Sequence, residues 1–103
     1  MVDNGNRDWF VYVLRCSNGA LYTGVTTDVS RRVREHVQKG RLSARFTRAF
    51  APVELAYSCR VGEKSLAYRT EYRMKKLTRD RKNIVVSEGF PKLMLLEFLD
   101  IDE

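Results

Sequence analysis

The sequence FVYVLRCSNGALYTGV, residues 10–25, decides the fold. Its first five and last five residues are rich in side chains that favour β-strands. The SNGA between them is typical of a tight turn. Together these features predict a β-hairpin over residues 9–26 that carries Tyr12 on one strand and Tyr22 on the other.

A helix is predicted directly after the hairpin. Asp28 is a favourable N-cap, and we expect the helix to cover residues 28–39 and to end at Gly40. Its apolar stripe consists of Val29, Val33 and Val37. Arg32 and His36 are four residues apart, so they point the same way at the edge of this stripe. We therefore expect both side chains to lie where the helix meets the sheet.

The rest of the chain predicts one strand and three helices. These are a strand over residues 53–59, a helix over residues 63–77, a helix from its cap Thr78 to Glu88, and a last apolar helix opened by Pro91. In the 63–77 helix Glu71 falls at the edge of an apolar face made of Leu66, Thr70, Met74 and Leu77. Up to Glu88 the order is β-β-α-β-α-α, which predicts an α+β fold, a small three-stranded antiparallel sheet flanked by helices.

Basic residues are concentrated in the middle of this single-domain chain. Its 103 residues include 19 Lys and Arg against 13 Asp and Glu, a formal charge of +6. Sixteen of the 19 basic residues lie between Arg31 and Lys82, where only five acids occur. This excess favours a polyanionic partner, most simply a nucleic acid backbone. A basic surface that only keeps the protein soluble is the alternative.

The cysteines and the N-terminal residues indicate the compartment. Cys16 and Cys59 lack C-x-x-C spacing, which argues against zinc, and each is expected to end a strand as a reduced thiol. Residues 1–8 are polar and expected to be disordered, with no apolar run of the kind a signal peptide needs. No segment is long and apolar enough to span a membrane. The sequence therefore predicts a cytoplasmic protein without a membrane partner.

The hairpin and the helix after it resemble the GIY-YIG nuclease family. Residues 10–12 stand where that family has G-I-Y, and residues 22–24 stand where it has Y-I-G. Arg32 follows the second tyrosine by ten residues, as in the family. Phe10 and Thr23 depart from the motifs, and we interpret them as packing changes on the strands.

The likeness covers about residues 9–90, which we expect to form the nuclease domain. Residues 91–103 would add a helix and an acidic tail packed on the same domain. The likeness is strongest toward the short stand-alone bacterial, YhbQ-like group. Glu71 lies in a helix where the family keeps its metal-binding glutamate, and Asn83 is a weaker match to a later family asparagine. An ordinary surface asparagine is the alternative for Asn83.

The resemblance implies a metal-dependent endonuclease that hydrolyses phosphodiester bonds in DNA. The catalytic set it implies is Tyr12, Tyr22, Arg32, His36 and Glu71. Arg32 would hold a phosphate oxygen with its planar donors, and Glu71 would bind Mg²⁺ or Mn²⁺. Tyr12 would be the general base if a neighbouring cation lowered its pKa, with Tyr22 orienting water or phosphate. His36 would instead take the base role or relay a proton to or from Tyr12, and the sequence leaves this choice open.

Further basic and aromatic residues are expected to contact the nucleic acid. They are Arg31, Arg34, Arg41, Arg45, Phe46, Arg48, Lys75 and Lys76. In the predicted loop over residues 41–50, arginines would follow phosphates while Phe46 or Phe50 stacks on an unpaired base. The alternative is that both phenylalanines anchor the loop to the core.

Other interpretations stay open at this point. One alternative to a catalytic role is that Tyr12 and Tyr22 are ordinary cross-strand partners. Another is that Arg32 forms an ion pair with Glu35 or Glu71. The chain is alternatively a non-catalytic nucleic-acid-binding module of the same fold, a basic RNA-associated protein, or a protein whose partner supplies specificity. DNA is favoured over RNA and a monomer over an oligomer. Structure-dependent or weakly sequence-specific cleavage, in DNA repair or recombination, is favoured because no recognition helix is evident.

Overall fold

The computed structural model describes residues 8–42 and 52–103, without the side chains of residues 39–42 and 52–53. The elements, in order, are β1 (Trp9–Cys16), β2 (Leu21–Thr26), α1 (Val29–Leu42), β3 (Pro52–Gly62), α2 (Lys64–Lys75), α3 (Arg79–Glu88) and α4 (Lys92–Phe98). The three strands form one antiparallel sheet, which confirms the predicted α+β fold. Within the described part of the chain, no helix is long and apolar enough to cross a membrane.

The first strand is the centre of the sheet. Its neighbours are β2 on one side and β3 on the other. Every second side chain of a strand faces the same side of the sheet. Tyr12 therefore shares a face with its two register partners, Gly24 of β2 and Ser58 of β3. Helix α1 lies against β1 and β3, and its His36 reaches Tyr12, so α1 covers this face.

The opposite face of the sheet carries the hydrophobic core. Val11 and Val13 of β1 pack there, together with Val61 of β3. The helices α2–α4 supply Leu66, Ala67, Met74, Val85, Leu95, Leu96 and Leu99. Because both of its faces are covered, β1 is buried from Val11 to Leu14 without a break. This central position is what holds Tyr12 in place.

Turns and caps have the chemistry that the sequence predicted. Gly19 has φ +86°, a left-handed conformation that favours glycine, and it turns the chain between β1 and β2. The Asp28 carboxylate accepts the backbone N–H of Arg31 at 3.1 Å, and α1 begins there. Thr78 caps α3 in the same way, and Gly89, with φ +63°, ends it.

Several boundaries were predicted wrongly. Gly40 does not end α1, which continues to Leu42, since one glycine inside a helix costs only about 1 kcal/mol. Strand β3 begins at Pro52 and not at the predicted residue 53, and the first residue of a strand is a position that tolerates proline. Strand β3 runs to Gly62, so Cys59 lies inside the strand and not at its end.

Two further expectations concern helix length and packing. Helix α2 covers Lys64–Lys75 and is shorter than the predicted 63–77. The apolar stripe of α1 is only half-buried in the described part of the chain, where Val33 and Val37 line an open depression. The predicted loop over residues 41–50 lies outside the described residues, except for the backbone of residues 41 and 42.

Candidate active site

Tyr12 and Tyr22 project from the same face of the hairpin. Tyr12 pairs in register with Gly24 and Tyr22 with Leu14, so the tyrosines are diagonal neighbours and not direct cross-strand partners. Their ring centroids are 6.4 Å apart. Tyr12 is only 1% exposed, whereas Tyr22 is 42% exposed. Tyr12 therefore lies at the bottom of the candidate site and Tyr22 at its edge.

Helix α1 brings His36 onto both tyrosines. The Tyr12 hydroxyl and His36 Nε2 are joined by a hydrogen bond of 3.0 Å. The Tyr22 and His36 rings meet edge to face, with centroids 5.0 Å apart. The three rings thus form one cluster between the hairpin and α1, as the spacing of the sequence predicted.

Arg32 lies one turn before His36 on α1 and reaches the same tyrosine. Its guanidinium lies near enough to Tyr12 to act on the pKa of that hydroxyl, and Nη1 donates to Glu35 Oε1 at 3.0 Å. Of the two acidic partners considered from the sequence, the structure selects Glu35. The side chain stays partly exposed, so its planar donors border both Tyr12 and solvent.

Burial and charge act in opposite directions on Tyr12. Burial raises its pKa, and the neighbouring Arg32 lowers it. Burial is the larger effect, so the pKa of Tyr12 stands above its usual value of 10. Arg32 thus lowers the pKa of Tyr12, as expected of a neighbouring cation, but not enough to bring it below the usual value. On its own, Tyr12 holds its proton at neutral pH.

Glu71 of α2 lies at the edge of the same site. Its negative charge is one of the causes that raise the pKa of Tyr12, which places the carboxylate within electrostatic reach. The side chain is 19% exposed and forms an ion pair of 3.3 Å with Lys75, one turn further along α2. Glu71 is therefore accessible without lying fully in solvent.

The donor set suits a hard divalent cation that keeps most of its water. Mg²⁺ is commonly held by one or two carboxylates together with substrate phosphate oxygens. Glu71 supplies one such carboxylate beside Tyr12 and Arg32. In residues 8–42 and 52–103, no group of three or more His, Cys, Asp or Glu side chains gathers to hold a metal. The residues present thus fit a Mg²⁺ or Mn²⁺ ion bound through Glu71 and completed by substrate.

The predicted nucleic-acid contacts are placed only in part. Arg31, Arg34, Lys75 and Lys76 are exposed on α1 and at the end of α2. The side chain of Arg41 and residues Arg45, Phe46 and Arg48 lie outside what the structure describes. Asn83 is exposed on α3, and its role stays a prediction. Cys16 and Cys59 are buried free thiols, as expected for reduced cysteines.

Two residues support the site without belonging to the predicted catalytic set. Glu35 forms an ion pair with the guanidinium of Arg32. The two residues are three positions apart on the helix, a spacing that indicates such a pair from the sequence. Gly24 lies under the Tyr12 ring, where a Cβ would stand 2.6 Å from the phenolic oxygen. In the sequence, Gly24 stands inside a predicted strand, and a glycine at such a position often marks the close approach of another group.

Comparisons with known proteins agree on one family. The family model of the GIY-YIG catalytic domain matches residues 8–83. The chain is 48% identical over 81 residues to a UPF0213 protein of Citrobacter koseri, which is 79% of each chain. It is 44% identical over 95 residues to the UPF0213 protein YhbQ of Escherichia coli O157:H7, covering 92% of this chain and 93% of that one.

A solved structure extends this likeness to three dimensions. The solution NMR structure of a UPF0213 protein from Bacillus halodurans matches with a TM-score of 0.52 and 36% identity. The match covers 92% of this chain and 99% of that one. The resemblance to the YhbQ-like group that the motifs indicated is confirmed.

Proposed function

Because the chain belongs to the GIY-YIG catalytic domain family, a family of nucleases, we propose that it is a metal-dependent endonuclease that hydrolyses phosphodiester bonds in DNA. One observation carries the proposal. A buried tyrosine is hydrogen-bonded to a histidine, and a neighbouring arginine and glutamate act on the pKa of that same tyrosine. Hydrolysis of a phosphodiester requires a proton acceptor, a cation for the phosphate and a metal ligand, and this site supplies all three.

Arg32 is the phosphate-binding residue in this proposal. A guanidinium has five donors in a rigid plane, and the contact to Glu35 uses only part of them. The remaining donors match the spacing of phosphate oxygens. Glu35 fixes the side chain before substrate arrives, so less ordering is required on binding.

The proton acceptor is the Tyr12–His36 pair. As the oxygen of a water molecule attacks phosphorus, its proton passes to the Tyr12 hydroxyl oxygen. The hydroxyl proton of Tyr12 moves along the 3.0 Å hydrogen bond to His36 Nε2. The bond from phosphorus to the leaving oxygen breaks, and that oxygen takes a proton from solvent. The phenolate charge never develops in full, which matters because burial raises the pKa of Tyr12.

Glu71 is the residue that would hold the metal ion, with phosphate oxygens and water completing its coordination. When bound, a divalent cation stabilises negative charge on the phosphate and lowers the pKa of nearby water. Tyr22, at the edge of the site, orients the phosphate or the attacking water through its hydroxyl.

The surrounding surface supports a nucleic acid as substrate. The exposed Arg31 and Arg34 continue the positive charge of Arg32 along α1, and the whole chain carries +6. No helix is set aside for reading base edges in the described part of the chain, where all four pack on the sheet or on one another. We therefore propose cleavage that depends on DNA structure more than on sequence, in the service of repair or recombination, by a monomer in the cytoplasm.

Cleavage of labelled single-stranded, duplex and branched DNA with Mg²⁺ or Mn²⁺ tests the proposal. Wild type is compared with Glu71→Gln and with Glu88→Gln as the matched control. Glu88 is an exposed glutamate at the end of α3, outside the candidate site. We expect wild type and Glu88→Gln to cut equally, and Glu71→Gln to lose activity by about a hundredfold or more.

The other outcomes separate the remaining interpretations. DNA binding without cutting in every protein would favour a non-catalytic module or a missing protein partner. Preferential binding to RNA without cutting would favour an RNA-associated protein. Equal cutting by all three proteins would mean that Glu71 is not the metal ligand or that another nuclease is present.

A further inference from the structure

Three aromatic side chains form a strip along the outer side of α2. The strip consists of Trp9, from the start of β1, and of Tyr68 and Tyr72, one helical turn apart on α2. The Trp9 and Tyr68 ring centroids are 5.8 Å apart. Tyr68 is 46% exposed and Tyr72 is 60% exposed. Trp9 is partly buried and packs against the core. Tyr68 and Tyr72 are too exposed to contribute much to it, so packing does not account for their position.

Lysines accompany the strip along its length. Lys64 Nζ lies 5.6 Å from the Trp9 ring centroid and 6.0 Å from that of Tyr68. Lys76 Nζ lies 4.9 Å from the Tyr72 ring centroid. Cation–π contacts at exposed sites are worth only about 0.5–1 kcal/mol, so an incoming ring can displace these ammonium groups. A surface that alternates rings and cations is suited to a polymer that alternates bases and phosphates.

The strip begins beside the proposed metal ligand. On a helix, Tyr68 and Tyr72 lie about 60° and about 100° to one side of Glu71. On the other side of Glu71 the helix is buried, through Ala67, Thr70 and Met74. Glu71 therefore lies on the border between the core face of α2 and the strip. In a nucleic acid strand, the phosphate at the site would be bound by Arg32 and by the metal ion at Glu71. The nucleotides next to that phosphate would then lie beside the aromatic strip.

We infer that the strip binds unpaired nucleotides next to the cleaved bond, with bases stacked on Tyr68 and Tyr72 and phosphates held by Lys64 and Lys76. The inference rests on the proposed nuclease function and deepens it, since it names the class of substrate. A base offers its flat face only when it is unpaired and unstacked, whereas a duplex presents base edges and backbone. The substrate is then a single strand, or a single-stranded segment that adjoins a duplex.

The positive charge around the strip favours a nucleic acid over an apolar peptide as its binding partner. Each ring is within 6.0 Å of a lysine ammonium. Asp100 and Asp102 also line the groove beside the two tyrosines of the strip, but Arg69 and Arg73 line it with them, so the surface keeps an excess of positive charge. An apolar peptide would have to remove these charges from water at a considerable cost. A phosphate backbone keeps them paired and gains from the release of counterions.

Binding of oligothymidylate and of a duplex of equal length, in EDTA to stop cutting, tests the inference. The variants are Tyr68→Leu/Tyr72→Leu, which removes both rings, and Tyr68→Phe/Tyr72→Phe, which keeps them as the matched control. Stacking on one aromatic ring changes affinity by about tenfold. We expect the leucine pair to bind the single strand at least tenfold more weakly than wild type. The phenylalanine pair should bind as wild type does, and duplex affinity should change little in either.

Trp9 provides a second readout that reports on the strip itself. It is the only tryptophan of the chain and touches Tyr68. We expect the single strand to quench Trp9 fluorescence in wild type and in the phenylalanine pair, and much less in the leucine pair. Circular dichroism of both variants verifies that α2 remains folded.

Two results would overturn the inference. Equal affinity of the leucine and phenylalanine pairs for the single strand would show that the rings do not bind bases. Equal weakening by both pairs, with altered circular dichroism, would show that the tyrosines support the helix instead. Either result leaves the proposed nuclease intact if wild type cuts DNA in a Glu71-dependent way. Strip-dependent binding without any cutting would contradict the nuclease and keep the binding site.

Discussion

The Tyr12 ring lies directly over Gly24, its partner on the neighbouring strand. A Cβ at position 24 would stand 2.6 Å from the phenolic oxygen and 2.7 Å from Cζ of Tyr12, closer than real Cβ atoms approach such groups. The missing side chain lets the ring lie flat on β2 while its hydroxyl reaches His36 at 3.0 Å. Position 24 is glycine because the Tyr12 side chain crosses it. A residue of the second tyrosine motif thus leaves room for the tyrosine of the first.

Gly24→Ala should therefore damage both stability and cleavage. The added methyl group must displace the Tyr12 ring, and overpacking of this kind typically costs about 1–3 kcal/mol of unfolding free energy. Since the displaced hydroxyl moves relative to His36, we expect the cleavage rate to fall at least tenfold. Urea unfolding and initial cleavage rates measure the two effects.

The Tyr12→Leu background provides the control for Gly24→Ala. Once the ring is gone, the added methyl group has room, so Gly24→Ala should cost less than about 0.5 kcal/mol there. The same cost in both backgrounds would contradict the close approach of Tyr12 to Gly24.

The dependence of the cleavage rate on pH distinguishes the Tyr12–His36 pair from Tyr12 acting alone. Burial raises the pKa of Tyr12 above 10, so a lone Tyr12 base would give a rate that rises about tenfold per pH unit through pH 9. A pair that passes the proton to His36 should instead reach a plateau near neutral pH. Tyr12→Phe and His36→Gln should both lose the acidic limb that leads to this plateau. Single-turnover rates between pH 5.5 and 9.5 provide the test.

The alternative outcomes assign the proton differently. A rate that still rises at pH 9.5 would favour Tyr12 without His36. Loss of the limb in His36→Gln but not in Tyr12→Phe would make His36 the base and Tyr12 the residue that positions it.

Arg32→Lys should impair cleavage although the charge is kept. Lysine has no planar fork of donors, so it cannot hold Glu35 and present two parallel donors to a phosphate. Loss of one such donor to a reacting phosphate typically reduces kcat by about a hundredfold. Arg31→Lys is the matched control, because Arg31 is exposed and its 3.8 Å contact is to the same Glu35. Equal rates for the two variants would exclude Arg32 from phosphate binding.

Most of the fold and the main side chains of the site could be predicted because their signals are local. The hairpin follows from alternating β-formers around an Asn-Gly turn, and α1 follows from its cap at Asp28. Arg32 and His36 share a face through their spacing alone, and the structure brings both onto Tyr12.

The features that sequence reasoning missed depend on tertiary contacts. The direction of the Tyr12 pKa depends on how deeply α1 and β2 bury its ring, which no local pattern reports. The exposure of Tyr68 and Tyr72 could likewise not be predicted from the sequence, since tyrosine occurs both inside proteins and on their surfaces.

Stability should decline in alkaline solution, and Tyr57 should account for part of the decline. Burial raises the pKa of Tyr57 far above its usual value of 10, and its hydroxyl donates to the carbonyl of Phe90 at 2.6 Å. Burial raises the pKa of Tyr12, Cys16 and Cys59 as well. The folded chain therefore keeps protons that the unfolded chain loses, so the unfolding free energy falls as pH rises. The stability is fully present below about pH 8, since the unfolded thiols ionise with a pKa of about 8.5, and is lost progressively above it.

Tyr57→Phe should make this decline shallower while lowering stability at neutral pH. The lost hydrogen bond to Phe90 costs about 1 kcal/mol at pH 7. Above pH 10, however, the variant has one fewer group that resists ionisation, so its slope should be smaller by up to about 1.4 kcal/mol per pH unit. Urea unfolding at pH 7, 9, 10 and 11 under reducing conditions measures the unfolding free energy at neutral pH and its slope with pH. The control is Tyr72→Phe, a change at an exposed tyrosine, which should keep the wild-type slope. Parallel declines in wild type and Tyr57→Phe would mean that the Tyr57 hydroxyl ionises as readily in the folded chain as in the unfolded one, which its buried bond to Phe90 opposes.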